Sequence, residues 1–113
     1  MPTPKPGTKV RGSSTGRPIM AALDLLGRRW CLRILWELRD GPRTFRGLRE
    51  ACDEVSPTVL NARLRELREA GLVAAAGAGY ELTTTGGSLG EALKPLHDWS
   101  RSWARSSKRR ARG

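Results

Sequence analysis

The segment between Ser56 and Gly71 constrains the fold most, because it carries both a start signal and a stop signal for a helix. Ser56 supplies a capping hydroxyl, and Pro57 has the backbone torsion favoured at the first helical position. A glycine directly after the last turn is a common helix end. One face of the predicted helix is apolar and consists of Leu60, Leu64 and Leu67. A helix with one apolar face packs against a core, so the chain predicts a globular domain around this segment.

The residues before this helix predict a second, shorter one. Thr44 is a suitable cap, and Phe45, Leu48 and Cys52 follow with helical spacing. Three arginines are predicted on its outer surface, namely Arg43, Arg46 and Arg49. Only a short turn separates the two predicted helices, and this arrangement is typical of a helix-turn-helix.

Two further helices are predicted earlier in the chain. The first begins at Pro18 and ends at Leu26, because Gly27 interrupts the apolar pattern. The second covers residues 28–39 and is followed by Asp40-Gly41-Pro42, a strong turn signal. Its apolar surface is broad, which indicates burial on several sides.

The residues after Gly71 predict a hairpin and one long helix. Two short strands are expected over residues 72–76 and 80–83, around a turn at Gly77-Ala78-Gly79. From about Thr84 the pattern is helical, and Pro95 inside it is expected to kink the helix or split it in two. The order of elements predicts a mainly α fold with a small β-hairpin. This is a winged helix-turn-helix with extra N-terminal and C-terminal dimerisation helices.

The positive charge of the chain is concentrated at its two ends. The formal net charge is +10, yet basic and acidic residues balance over residues 18–100. We therefore predict a flexible basic N-terminal arm over residues 1–16, a winged-helix DNA-binding domain over residues 17–104 and a basic C-terminal tail over residues 105–113. Basic arms increase DNA affinity through counterion release without reading sequence. They also increase solubility, which is the simpler interpretation of the same charge.

Helical geometry identifies the surface of the helix after Ser56 that faces the major groove. At about 100° per residue, Thr58, Ala62 and Arg65 lie opposite the leucine face, and Asn61 lies on the flank. Polar groups of these types hydrogen-bond base edges, and an alanine contacts a thymine methyl. The predicted DNA-binding residues are Arg43, Arg46, Ser56, Thr58, Asn61, Ala62 and Arg65.

A plainer interpretation of the same helix is a solvated face. Arg65 and Arg68 then pair only with Glu69 and other acids. Arg63 lies nearer the core side, where we expect it to contact a neighbouring acid or a phosphate.

The final helix is longer than a small domain needs to cover its own core. Its apolar stripe continues beyond that length, and apolar residues of the first helix complement it, which favours contact with a second copy of the chain. The predicted dimer-interface residues are Met20, Leu23, Leu89, Leu93, Leu96, Trp99 and Trp103. We therefore expect a homodimer.

Several classes of protein are excluded by what the sequence lacks. No run of roughly 18 apolar residues and no signal-peptide core occurs, so we expect a cytoplasmic protein without membrane contact. No phosphate-binding loop, no nucleophile with its base and no carboxylate pair in a candidate cleft is recognisable, so we predict no enzymatic activity and no cofactor. A single histidine and two cysteines provide no ligand set for a metal site and no disulfide framework.

Two interpretations stay open for the cysteines, the histidine and the tryptophans. Cys31 and Cys52 are interpreted as small buried residues, with redox sensing by Cys52 as the alternative. His97 is interpreted as a surface or interface residue, with a pH switch as the alternative. The four tryptophans either pack the core and the dimer interface or line a ligand pocket between the domain and the dimer helix. A small-molecule effector stays unidentified at this point.

Short motifs occur in a fixed order along residues 17–104. They are Arg17-Pro18, Leu23-Asp24-Leu25-Leu26-Gly27, Trp30, Ile34-Leu35, Leu38, Phe45, Leu48, Ser56, Leu60, Leu64-Arg65-Glu66-Leu67, Gly71-Leu72-Val73, Leu82-Thr83, Gly86, Leu89 and Trp99. In this combination the chain resembles the HxlR family of bacterial, MarR-like transcriptional regulators. The resemblance implies a homodimer, held by the first and last helices, that binds a palindromic operator in double-stranded DNA and represses or activates nearby genes.

The chain departs from the family pattern in two places. Many family members have a cysteine directly before the proline that opens the first helix, and in several it senses oxidants or electrophiles, whereas this chain has Arg17. That sensing chemistry is therefore not carried over. The hairpin is also shorter than usual, and residues 74–79 are only alanine and glycine, so we expect no minor-groove contact by the wing and expect the basic tails to substitute for it.

A function of a different class stays open. A winged helix also serves as a protein–protein adaptor, with the basic tails binding an acidic partner or binding DNA without sequence preference.

Overall fold

The computed structural model describes Thr3, Pro4, Pro6 and residues 16–112. The helices are α1 (Pro18–Leu26), α2 (Cys31–Glu37), α3 (Phe45–Ala51), α4 (Pro57–Glu69) and α5 (Thr84–Arg112). The strands are β1 (Arg43–Thr44), β2 (Val73–Ala76) and β3 (Gly79–Leu82), which form one antiparallel sheet in the order β1-β3-β2. The predicted mainly helical fold with a small hairpin is confirmed.

The leucine face of α4 lies in the centre of the core, as predicted. Leu60 and Leu67 are fully buried and Leu64 is 2% exposed. They form one cluster with Ile34 of α2 and Leu48 of α3. The core therefore fixes α4 against both preceding helices, and its opposite face is left to solvent.

The predicted capping signals operate as expected. The Ser56 hydroxyl oxygen accepts a hydrogen bond from the Val59 backbone N–H at 3.2 Å, and Thr44 accepts one from Gly47 at 3.0 Å. Gly71 has a φ of +78°, a conformation that favours glycine and turns the chain out of α4 into the hairpin. The helix-turn-helix is thus set by local backbone chemistry as well as by the core.

The second helix is shorter than predicted. It covers Cys31–Glu37 rather than residues 28–39. The later start is caused by Trp30, whose φ of +80° is left-handed and interrupts helical geometry between α1 and α2. Its apolar pattern gave no sign of this turn, because Trp30 still packs against the core.

Strand β1 was not predicted, and it corrects the placement of Arg43. We expected Arg43 on the outer surface of the third helix, but it lies in β1, where it pairs with Tyr80 of β3. Gly79 permits this pairing, because a Cβ there would lie 2.0 Å from the Arg43 carbonyl oxygen. A strand of two residues has too little alternation to be read from sequence.

The last helix is continuous through Pro95, so the predicted split into two helices is wrong. Pro95 removes the donor for the carbonyl four residues earlier, at Glu91. Both residues are exposed, so water satisfies that carbonyl without breaking the helix. Residues 105–112, predicted as a basic tail, continue α5 to Arg112.

Most of the predicted flexible N-terminal arm lies outside the described residues. Within it, the Thr3 hydroxyl donates a hydrogen bond to the Glu69 carboxylate at 2.5 Å. Pro4 is buried and lines an apolar cavity of about 620 Å³ together with Ala22 of α1 and Ala92 of α5. At these two residues the arm contacts the domain rather than projecting from it.

Candidate nucleic-acid interface

The face of α4 opposite the core carries the predicted base-reading residues. Thr58, Asn61 and Arg65 are exposed, and Ala62 is half-buried beside them. Ser56 is also exposed, although its hydroxyl oxygen serves the helix cap. Hydroxyl, amide and guanidinium groups on one helix surface suit hydrogen bonding to base edges in a groove about 12 Å wide.

Arg68 belongs to the same surface, and we had not predicted it as a DNA-binding residue. With Asn61 it lines a groove between α4 and the tip of the hairpin. Arg65 and Arg68 are both exposed, and neither has the pairing with Glu69 or another acid that the plainer interpretation expected among the described side chains. The sequence already indicated this position for Arg68. It follows Asn61 by seven residues, and residues seven apart lie about 20° apart around a helix.

The three arginines near α3 have different surroundings. Arg46 projects into solvent with its side chain 91% exposed, and it pairs only with Glu50 at 3.4 Å, also exposed. The Arg43 Nε donates to the Glu37 carbonyl at 2.7 Å, and the Arg49 Nε donates to the Val55 carbonyl at 2.8 Å. Arg46 is therefore the best placed of the three to contact a phosphate.

The wing consists of β2, β3 and a tight turn. The strands pair from Val73 with Leu82 to Ala76 with Gly79, and Gly77 in the turn has a φ of +54°. Residues 74–79, at the tip of the wing, are all alanine or glycine, so the tip presents backbone and methyl groups, and the wing carries no cation. It shapes one wall of the groove beside α4 without adding positive charge.

A buried ion cluster supports α4 from beneath. Glu66 is 7% exposed, and its carboxylate accepts hydrogen bonds from Arg63 in the same helix and from Arg28 after α1. Arg28 also pairs with Asp24 of α1 at 3.5 Å, and the Arg63 Nε donates to the Arg29 carbonyl at 2.9 Å. The predicted contact of Arg63 with a neighbouring acid is confirmed. The cluster ties the orientation of α4 to the end of α1.

The charge state of Glu66 follows from this cluster. Burial alone would raise the pKa of the carboxyl, but the hydrogen bonds and positive charges of Arg28 and Arg63 outweigh it. The pKa of Glu66 is therefore lower than its ordinary value, and the group is ionised at neutral pH. Sequence reasoning missed Glu66, although an arginine three residues earlier on the same helix was a signal.

The cysteines are core residues. Cys31 and Cys52 are both fully buried, and burial raises the pKa of the Cys31 thiol to about 11 and that of Cys52 above its ordinary value. A neutral, buried thiol is a poor nucleophile, so neither residue has the properties of a redox sensor.

A second surface of the molecule is apolar. The large exposed apolar side chains of α1 are Ile19 and Leu23, and those of α5 are Leu96, Trp99 and Trp103. The rings of Trp99 and Trp103 stack with centroids 5.5 Å apart. Of the other predicted interface residues, Met20 and Leu93 are half-buried, and Leu89 packs against the core of its own chain. No helix in residues 16–112 has the combined length and apolar character to cross a bilayer.

Two capped helices joined by a turn, with a polar exposed face and a hairpin beside it, define a helix-turn-helix DNA-binding domain. The family model of HxlR-like helix-turn-helix proteins matches residues 25–108. The chain therefore belongs to the HxlR-like family of transcriptional regulators, as the resemblance of its motifs implied.

Individual relatives agree with this assignment. The uncharacterized HTH-type transcriptional regulator YvaP of Bacillus subtilis is 30% identical over 89 residues, which cover 73% of this chain and 82% of YvaP. The crystal structure of quinone-bound YodB from B. subtilis is similar with a TM-score of 0.70 at 31% identity, covering 74% of this chain and 96% of YodB. The redox regulator HypR in its oxidized form has a TM-score of 0.67 at 26% identity, covering 75% and 95% of the two chains.

Proposed function

We propose that the protein binds a palindromic operator in double-stranded DNA as a homodimer and represses or activates the adjacent genes. The observation that carries the proposal is the exposed face of α4, where Thr58, Asn61 and Arg65 stand together opposite a fully buried leucine face. The core holds the helix through its leucines, and no side-chain hydrogen bond or ion pair engages these three polar residues within the described part of the chain.

Contacts to phosphates come from a second set of residues. Arg46 at the exposed surface of α3 and Arg68 beside the wing flank the base-reading face. The basic residues in the last turns of α5 add further positive charge, namely Arg101, Arg105, Lys108, Arg109 and Arg110. Phosphate contacts set affinity and register, whereas α4 selects the sequence.

The homodimer follows from the apolar side chains that the chain leaves uncovered. Leu23, Trp99 and Trp103 are each more than half exposed in one copy of the chain. Monomeric proteins rarely leave such patches in water, and tryptophans are frequent anchors of interfaces. A twofold axis through α1 and α5 would present two copies of α4 to two half-sites, which is why the operator is expected to be palindromic.

The test is a comparison of two DNA duplexes at one physiological salt concentration. The operator is first selected from a random duplex pool by the wild-type protein, and fluorescence anisotropy then measures its affinity against scrambled DNA. We expect the selected sites to share a palindrome and to bind at least about a thousandfold more tightly. A protein–protein adaptor with basic tails would instead yield no common sequence and equal affinities.

The contribution of the basic end of α5 to DNA affinity can be tested separately. Deletion of residues 106–113 removes four basic residues. Operator and random DNA should then lose affinity alike, and the salt dependence of both should become shallower by up to about four counterions. Random-DNA affinity that is unchanged by the deletion would show that this end does not contact DNA.

A further inference from the structure

A second cavity lies between α2, β3 and α5, away from the α4 face. Its volume is about 540 Å³, which falls within the range of roughly 300 to 1,000 Å³ typical of small-molecule sites. The apolar side chains that line it are Leu35, Trp36, Leu82 and Leu93. The DNA-binding face of α4 takes no part in it, and of the predicted dimer-interface residues only Leu93 lines it.

Three glycines of α5 line this cavity, and at two of them the packing would also allow a larger residue. Inside a helix, glycine is the least favourable residue except proline. Gly86 is required, because a Cβ there would lie 2.0 Å from the Leu72 carbonyl oxygen. At Gly87 and Gly90, by contrast, a Cβ would meet no atom within 4 Å. The chain thus accepts two unfavourable helix residues at positions where any side chain would occupy cavity space.

His97 is the polar residue of greatest interest in this lining. Its ring packs edge to face against Trp36, with centroids 4.9 Å apart. The Nε2 atom is buried and makes no hydrogen bond within the described part of the chain. Buried nitrogen atoms without a partner are rare and costly in native proteins. His97 itself lines the cavity, and because the χ2 torsion of histidine is soft, the proposed binding includes a turn of the ring that presents this atom to an occupant.

The charges at the rim indicate what kind of molecule fits. Lys94 pairs with Glu91 at 3.0 Å, and Arg39 lies 3.8 Å from Asp40 and also stacks on Trp36. Asp98 has no ion-pair partner among the described residues. The cations are therefore already engaged, and the remaining charge is negative, so an anionic ligand is disfavoured.

We propose that this cavity binds an uncharged aromatic molecule that carries a hydroxyl group. The ring packs among Trp36, Leu82 and Leu93, and the glycines leave room for it. The hydroxyl completes the hydrogen bonding of His97. A hydroxyl both donates and accepts, so it satisfies Nε2 in either neutral tautomer of the imidazole. The walls belong to α2, β3 and α5, so an occupant contacts both the wing and the long C-terminal helix.

The test uses the single histidine of the chain as its probe. A ¹H–¹⁵N spectrum of the imidazole contains one residue and needs no assignment. Titration with 2-naphthol should move its signals and saturate below about 1 mM. Naphthalene, which lacks the hydroxyl, and 2-naphthoate, which is an anion, should each bind about tenfold more weakly. No DNA is present, so the outcome is independent of the proposed function.

Substitutions at Gly90 locate the site. Gly90→Leu fills the cavity and should abolish the response to 2-naphthol, whereas the control Ser102→Leu, on an exposed part of α5, should bind as the wild type does. Gly90→Ala should raise the Tm by about 4 °C through helix propensity while weakening binding about threefold. If Gly90→Leu does not fold, Gly90→Ala decides. An unmoved imidazole signal up to 1 mM, or wild-type affinity in the filled variants, would overturn the proposal.

Discussion

Helices α4 and α5 differ in how far the rest of the chain covers their apolar side chains. In α4 the three leucines of the apolar face are covered by the same chain, and the face left exposed is mainly polar. In α5 the first turns pack against the domain, but from Asp98 onward nearly every residue is exposed, including Trp99 and Trp103. One helix is complete within a single copy, and the other has an apolar surface that a single copy leaves in water. The difference is the basis of the proposal that α4 reads DNA and that α5 mediates assembly.

The largest expected effect concerns the cluster beneath α4. Glu66→Ala leaves the half-buried guanidinium groups of Arg28 and Arg63 without their shared partner, and we expect a loss of about 3 kcal/mol in the free energy of unfolding, measured by urea denaturation. Glu50→Ala removes an exposed partner of Arg46 and is the matched control, with a change within about 0.5 kcal/mol. Equal losses in the two variants would show that the cluster does not stabilise α4.

The contribution of Glu66 to the free energy of unfolding should also depend on pH. The pKa of Glu66 in the folded protein is lower than the ordinary value of 4.5, so the folded state binds the proton less readily than the unfolded chain. The stabilisation is therefore complete above about pH 4.5 and is lost as the pH falls through the lower, folded value. The difference between wild type and Glu66→Ala should shrink over that window. A difference that stays constant down to low pH would contradict the assignment.

The next effect tests α5. Trp103→Asp places a charge in the predicted interface, and we expect dimer dissociation to become at least about 30-fold easier by sedimentation analysis, with the monomer still folded. Ser102→Asp is the control, because it adds the same charge to the neighbouring exposed position. If the wild-type protein sediments as a monomer, or if both changes have equal effects, α5 does not form the predicted interface.

A smaller effect on stability is expected from the helix cap at the start of α4. Ser56→Ala removes the hydrogen bond to the Val59 N–H and should cost about 1 kcal/mol of stability. Ser102→Ala, in the exposed part of α5, should change stability by less than about 0.5 kcal/mol. Thermal or urea unfolding of both variants compares them. A neutral Ser56→Ala change would mean that the core alone sets the start of α4.

The sequence predicted best where local chemistry decides the structure. The bounds of α1 and α4, the caps at Thr44 and Ser56, and the exposed side chains of α4 follow from spacing and start signals. The misses depend on tertiary contacts. The left-handed Trp30 and strand β1 are set by packing with distant segments, and the partners of Glu66 lie on two other parts of the chain. Periodicity along one helix carries no information about such partners.

The central claim is that α4 reads base sequence, and one ratio tests it most directly. For each variant, operator affinity is divided by random-DNA affinity at a fixed salt concentration, with circular dichroism to confirm folding. Asn61→Ala and Arg65→Ala remove no core contact, so each should keep the fold and lower the ratio by about 1 to 3 kcal/mol, roughly 5- to 150-fold. Arg46→Ala, an expected phosphate contact, should lower both affinities and leave the ratio nearly unchanged. If both α4 variants stay folded and keep the wild-type ratio, α4 does not read bases in this protein.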